Sequence, residues 1–328
     1  MITDRRATDT NTIPIRRDIN AMNTIKTTDR ETKPIARESY IMTDMAVERL
    51  PSDVESTDGI SVREETVRGF HVHRLTVTVP RDGIADAGSY VTLTVGKPWM
   101  ENAERTSDAA ETLSEIILEL CASSGSPRKT AAMILCLGNR DVTADAVGPL
   151  CADGVIATRH LETERPEIWD NLGRVSLSVL APGVYGKTGI EAFELTSSAV
   201  KTAKPQLVIT VDALSARDTA RLGTSIQVTN VGIAPGSGVG NHRMAITPKT
   251  LGVPVISIGV PTIAHSATLI RDALESGLQT LPENALEAAL NVGRDLFVTP
   301  RDCDTAVNSM ADIVSRAVNL TFLGFQTL

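Results

Sequence analysis

The chain has 328 residues, enough for one large domain or two ordinary ones, with 42% hydrophobic and only 3% aromatic residues. Its core must therefore be built from Val, Ile, Leu and Ala. A net charge of −8, spread rather than gathered in blocks, excludes a general nucleic-acid binder, which needs a basic face.

Residues 1–44 contain no Val, Leu, Gly, Phe or Trp, but nine Thr and seven acidic residues. Such a segment cannot bury enough apolar surface to offset its ordering entropy. It reads as a mobile arm, either a plain tail or a removable leader. Its acidic content argues against an organelle transit peptide. The pattern changes near residue 60. GFHVHRLTVTVP (69–80) and SYVTLTVGKP (89–98) alternate apolar and polar residues, as half-buried strands do, and the turn-rich RDGIADAG joins them into an antiparallel pair. His71 and His73 share a face of the first strand. Without a third ligand nearby they read as surface histidines rather than a metal site.

Glu101–Ala122 has the helical period. Four short apolar runs follow: AAMILCL (131–137), VSLSVLA (175–181), QLVITVDA (206–213) and VPVISIG (253–259). Nearly continuous apolar character marks strands buried on both faces. Helical segments fall between most of them, for instance 146–160 and 189–203. TSIQVTNVG (224–232) adds a possible strand, and 305–323 a closing amphipathic helix. The fold class predicted is α/β: a largely parallel or mixed sheet flanked by helices, with an N-terminal antiparallel strand pair, as a single domain over 45–328. Cys121, Cys136, Cys151 and Cys303 form no CxxC. With no secretory signal and no run of 18 apolar residues, they read as reduced thiols of a cytosolic protein with no membrane partner.

In open α/β sheets, sites form at the carboxyl ends of the strands. GxxxxGK[ST], a GxGxxG after a strand, GxSxG and HExxH are all absent, so neither a nucleotide loop nor a serine or zinc hydrolase is supported. Carboxylates remain. Asp212 closes the run LVITV, where burial raises a carboxyl pKa. Asp145 lies in LGNRDVTADAVGP near a helix start, where the dipole favours the anion. Environments that push two carboxyls apart make an acid–base pair. Both residues also fit plain structural roles, as a strand-end turn cap and a helix N-terminal carboxylate. Glu191 completes a capping box with Thr188. Asp141 reads as a solvent-facing turn residue, and His242 and His265 as loop or surface histidines. Backbone N–H groups near Gly138, Asn139 and Gly183 are candidate oxyanion donors. Gly236, Gly238 and Gly240 are candidate cleft residues in the Gly-rich loop.

LGNRDVTADAVGP, APGVYGKTGIE, ITVDALSAR, GIAPGSGVGNHR and TLGVPVISIGVPT, in that order, resemble the spore germination proteases. RHL (159–161), YVTL (90–93) and FVTPRDCD (297–304) extend the likeness over most of the chain after residue 40. The resemblance implies an atypical aspartic-type endopeptidase, without cofactor, that degrades small acid-soluble spore proteins. It implies a hydrolase-like α/β fold similar to hydrogenase-maturation peptidases, and a homotetramer in the spore-core cytoplasm. It places the catalytic acids at Asp145 and Asp212. The family cuts off its own propeptide, and YIMTDMAVE places that bond at Asp44–Met45. Met42 and Met45 depart from the family's usual Arg and Leu, and the span 263–298 is shorter than usual. A metal-dependent maturation-type peptidase and a non-enzymatic ligand-binding domain are the alternatives.

Overall fold

The computed structural model describes residues 43–50, 56–57, 59–80, 85–125, 131–236, 243–277 and 296–324. All belong to one compact unit, Tyr40–Leu328. Its centre is a single mixed sheet in the order β1-β2-β3-β4-β8-β9-β7-β5-β6. In chain order the strands are β1 (Ser56–Thr57), β2 (Ile60–Val67), β3 (Phe70–Val77), β4 (Gly88–Thr94), β5 (Ala132–Cys136), β6 (Leu177–Leu180), β7 (Leu207–Ser215), β8 (Ser225–Thr229), β9 (Val255–His265) and β10 (Phe297–Val298), the last pairing with the end of β9. β6, β5, β7 and β9 are parallel. β1 to β4 form an antiparallel meander. β8, antiparallel to both β4 and β9, fuses the two halves. The anticipated strand pair is therefore part of a longer meander continuous with the main sheet.

The β-branched runs form strands because both faces are covered. Ile209 and Val211 of β7, Ile226 and Val228 of β8, and Ile256 and Ile258 of β9 pack with α1 (Ala103–Ser123), α2 (Val147–Gly154) and the C-terminal helix Cys303–Leu323. On the other face, Met133, Leu135 and Val208 meet Phe193 and Val200 of the helix Ala192–Ala203. Alternation then fixes the remaining side chains: Asp212 on β7 and Gln227 on β8 project on this second face. The four cysteines are buried free thiols.

Several local expectations need correction. α2 ends at Gly154, well short of residue 160. β9 continues through GVPT to His265, because β10 pairs with its last two residues. Glu191 occupies the N-cap position of its helix without a side-chain cap bond, so there is no capping box. The Thr188 hydroxyl donates instead to the Ile190 carbonyl, and Glu191 faces Arg243 at 3.7 Å. His73 is only 8% exposed, not a surface residue, while His71 is half-exposed beside Glu64. Burial lowers the His73 pKa, with Glu64 opposing. His265 is buried too, its ring edge-on to Phe297 with centroids 4.4 Å apart. His242 lies outside the described residues.

Candidate active site

The parallel strands deliver two carboxyls to one end of the sheet. β5 ends at Cys136, and the Leu137 N–H still donates to the Val211 carbonyl of β7 (2.8 Å). The chain then turns sharply at Gly138, where φ is +115° and an added Cβ would lie 2.1 Å from the Asp145 carbonyl oxygen. Only glycine fits there. The turn brings Asp145 back onto Asn139, whose N–H donates to both the Asp145 carbonyl (2.9 Å) and its carboxylate (2.8 Å). The Thr262 hydroxyl at the end of β9 donates to the Ala144 carbonyl (2.6 Å) and ties this loop to the sheet.

Asp145 and Asp212 both line a cavity of ≈ 430 Å³, together with Gly138, Gly183, Gly236, Arg243 and Thr262. Burial pushes the Asp145 carboxyl up to about 6, against the Asn139 N–H and the positive charge of Arg243. Asp212 is 7% exposed. Its pKa is raised well above the carboxylate range by burial first, then by the negative charges of Asp145 and Asp44. Asp212 is thus held toward its protonated form more strongly than Asp145. Burial works against the Asp145 anion that a helix start favours; the Asn139 N–H and Arg243 support it, and α2, which starts at Val147, takes no cap from Asp145.

The predicted residues are only partly brought together. The Asn139 N–H is engaged by Asp145, so it positions that carboxyl rather than awaiting an oxyanion. Gly236 lines the cavity, and Gly238 and Gly240 lie outside the described residues. Asp141 is exposed and paired with Lys187, as a surface turn residue would be.

Sequence reasoning named Asp44 through the propeptide bond but did not place it in the cavity of Asp145 and Asp212. The described end of the supposed arm is docked, not loose. The Asp44 N–H donates to the Ser215 carbonyl and its carboxylate accepts the Ser215 N–H, both at 2.9 Å. Arg49 holds the Thr43 carbonyl through Nε at 2.9 Å, and the Thr43 hydroxyl donates to Glu48. Met45 is fully buried among Leu214, Ala216, Leu222 and Ala264. Asp44 lines both the main cavity and an adjoining one of ≈ 170 Å³, in which Asp212 also lies. Arg243 and Thr262 were present in the quoted motifs without a role. Gln227, which also lines the smaller cavity, carried no signal, because a polar residue alternating along a strand ordinarily faces solvent. Among the described residues, no three His, Cys, Asp or Glu side chains group as metal ligands.

An α/β sheet with two buried carboxyls of separated pKa values in one cavity has the layout of an acid–base site. The family model for germination protease, peptidase family A25, matches residues 36–289. The germination protease of Caldanaerobacter subterraneus subsp. tengcongensis is 35% identical over 306 residues, covering 85% of this chain and 93% of that protein. That of Clostridium perfringens strain SM101 is 38% identical over 217 residues, covering 59% and 66%. That of Bacillus velezensis is 31% identical over 347 residues, covering 85% and 92%. The chain belongs to the germination protease family, endopeptidases that act during spore germination. Membership removes the non-enzymatic alternative. A [NiFe] hydrogenase maturation protease, HycI from Thermococcus kodakarensis KOD1, matches with a TM-score of 0.31 at 15% identity, over 62% of this chain and 99% of its own, too slight a likeness to relate the folds. Among the described residues no helix is long and apolar enough to cross a membrane.

Proposed function

We propose that this chain is a self-processing endopeptidase in which Asp145 and Asp212 activate water, and that Asp44–Met45 is the bond it cuts in itself. The observation that carries the reading is the convergence of three carboxyls: Asp145 in the turn after β5, Asp212 within β7 and Asp44 in the docked N-terminal segment line one cavity. Ionised Asp145 takes a proton from the attacking water. Protonated Asp212 donates to the scissile carbonyl oxygen as the water oxygen bonds to its carbon. When the C–N bond breaks, the proton held by Asp145 passes to the leaving nitrogen, and the oxygen returns its proton to Asp212. The products are a carboxylic acid and an amine, and both acids regain their starting states. The pair titrates as a unit, and the opposite order of roles is the variant of this scheme.

Residues 1–44 then form a propeptide, and residues 45–328 the mature protease. The family resemblance supports small acid-soluble spore proteins as substrates, a homotetramer, and action in the spore-core cytoplasm without cofactor. It equally supports a fold shared with the maturation peptidases. Free, disordered substrate should be cut far faster than the DNA-bound form, because the cleft requires an extended peptide. The test is to incubate the full chain with a small acid-soluble spore protein and weigh the fragments. Asp145→Asn and Asp212→Asn should each lose about 10²–10⁴-fold in rate while keeping a cooperative melt. Turnover like the parent's in either variant refutes the pair. Nickel or zinc retained through purification, with activity lost on its removal, would favour a metal-dependent peptidase instead.

A further inference from the structure

We infer that Gln227 is a catalytic residue whose side-chain amide stabilises the oxyanion formed at the bond being cut. The inference rests on the reading of Asp44–Met45 as the chain's own scissile bond. Asp212, Gly259 and Gln227 are register partners across β7, β9 and β8. Partners in register project to the same face. The middle position has no side chain, and the Leu214 side chain packs over it. An added Cβ at Gly259 would come within 2.3 Å of Leu214 Cδ1. Gln227 Nε2 donates to the Asp44 carbonyl oxygen at 3.2 Å, and its Oε1 accepts the Ala46 N–H at 2.8 Å. One side chain therefore grips the peptide on both sides of the Asp44–Met45 bond.

The orientation of this amide follows from its partners. A backbone N–H can only donate, so Oε1 must face Ala46, which leaves the NH2 group for the carbonyl of Asp44. Gln227 is 6% exposed in a strand otherwise filled by Ile226 and Val228. A buried amide needs hydrogen-bond partners, and the docked segment supplies them. The Asp44–Ser215 backbone bond fixes the same residue on its other side. As the carbonyl carbon becomes tetrahedral, and until the Asp212 proton has crossed, negative charge gathers on the oxygen that Nε2 already faces. A neutral amide remains a donor at every pH and needs no reorganisation, which is what an oxyanion donor requires. Once residues 1–44 have left, the same NH2 group meets the carbonyl of an incoming substrate.

Full-length parent, Gln227→Glu, Gln227→Met and Asp212→Asn proteins are incubated, and the loss of residues 1–44 is followed by mass. Hydrogen exchange at the Asp44 and Met45 amides, neither of which bonds to Gln227, reports docking, and a thermal melt reports folding. Gln227→Glu keeps the acceptor for Ala46 and loses the donor. Gln227→Met removes both without adding charge near Asp212. The expected result is a folded protein with the segment still docked and processing slowed about 10²–10³-fold, as for loss of an oxyanion donor elsewhere. Processing at the parent rate in either folded variant overturns the inference. Slowing that appears only together with lost amide protection makes Gln227 a docking contact and also overturns it. If the parent releases no fragment ending at Asp44, or Asp212→Asn processes normally, it is the underlying reading of the site that fails.

Discussion

Replacing Asp145 by Asn should stabilise the protein at neutral pH while disabling it. Burial raises the Asp145 carboxyl from 3.8 to about 6. A carboxyl whose folded pKa lies above its unfolded one binds its proton more tightly in the native state. Its contribution to stability is whole below about pH 4 and is lost as pH rises through about 6. At 1.36 kcal/mol per pH unit, the loss by pH 7 is about 3 kcal/mol. Asn does not ionise, yet its side-chain oxygen still accepts the Asn139 N–H. The gap in stability between Asp145→Asn and the parent should therefore widen by about 3 kcal/mol between pH 4 and pH 7. At about 2 °C per kcal/mol for a domain of this size, that is about 6 °C in Tm. Urea unfolding at half-unit pH steps measures it directly. Curves for the two proteins that stay parallel from pH 4 to 7 would refute the idea that Asp145 is held in a desolvated site.

Other consequences follow from neighbouring contacts. Arg243→Ala removes the positive charge that holds the Asp145 pKa down, so the acidic limb of the pH–rate profile should move to higher pH; an unmoved limb would separate Arg243 from the pair. Gly138→Ala forces a Cβ against the Asp145 carbonyl at φ +115°. Strain of about 1–3 kcal/mol should appear in the melt together with a large loss of activity, and an active, equally stable variant contradicts the described turn. Met45→Ala empties a fully buried site beside Leu214 and Leu222. It should free the 43–50 segment, read as faster amide exchange at Ser215 and altered processing.

The central strands were legible because strands covered on both faces must be apolar throughout. Burial of that kind leaves nearly continuous apolar runs such as LVITV and MILC, and the charged residue that ends a run, Asp212, is conspicuous. Asp145 was legible through the turn that follows β5, but the burial that raises its pKa was not, because burial is a property of the packed cleft and not of the local chain. The capping box at Thr188–Glu191 failed in the same way. The pattern was present, but the preceding turn engages Thr188, and Arg243, far along the chain, draws Glu191.

By itself the sequence determined the α/β class, the strand ends where chemistry could occur, and the composition break near residue 44. Each is a local consequence of side-chain period, propensity or hydrophobicity. Only the tertiary structure decided that Asp44 lies in the cleft rather than in a loose arm, that β8 joins two sheets into one, and that Gln227 faces the Asp44 carbonyl. Those facts depend on pairing between residues up to 183 positions apart, as from Asp44 to Gln227. No local pattern records such pairing, because it is fixed by strand register and by what the folded sheet leaves room for.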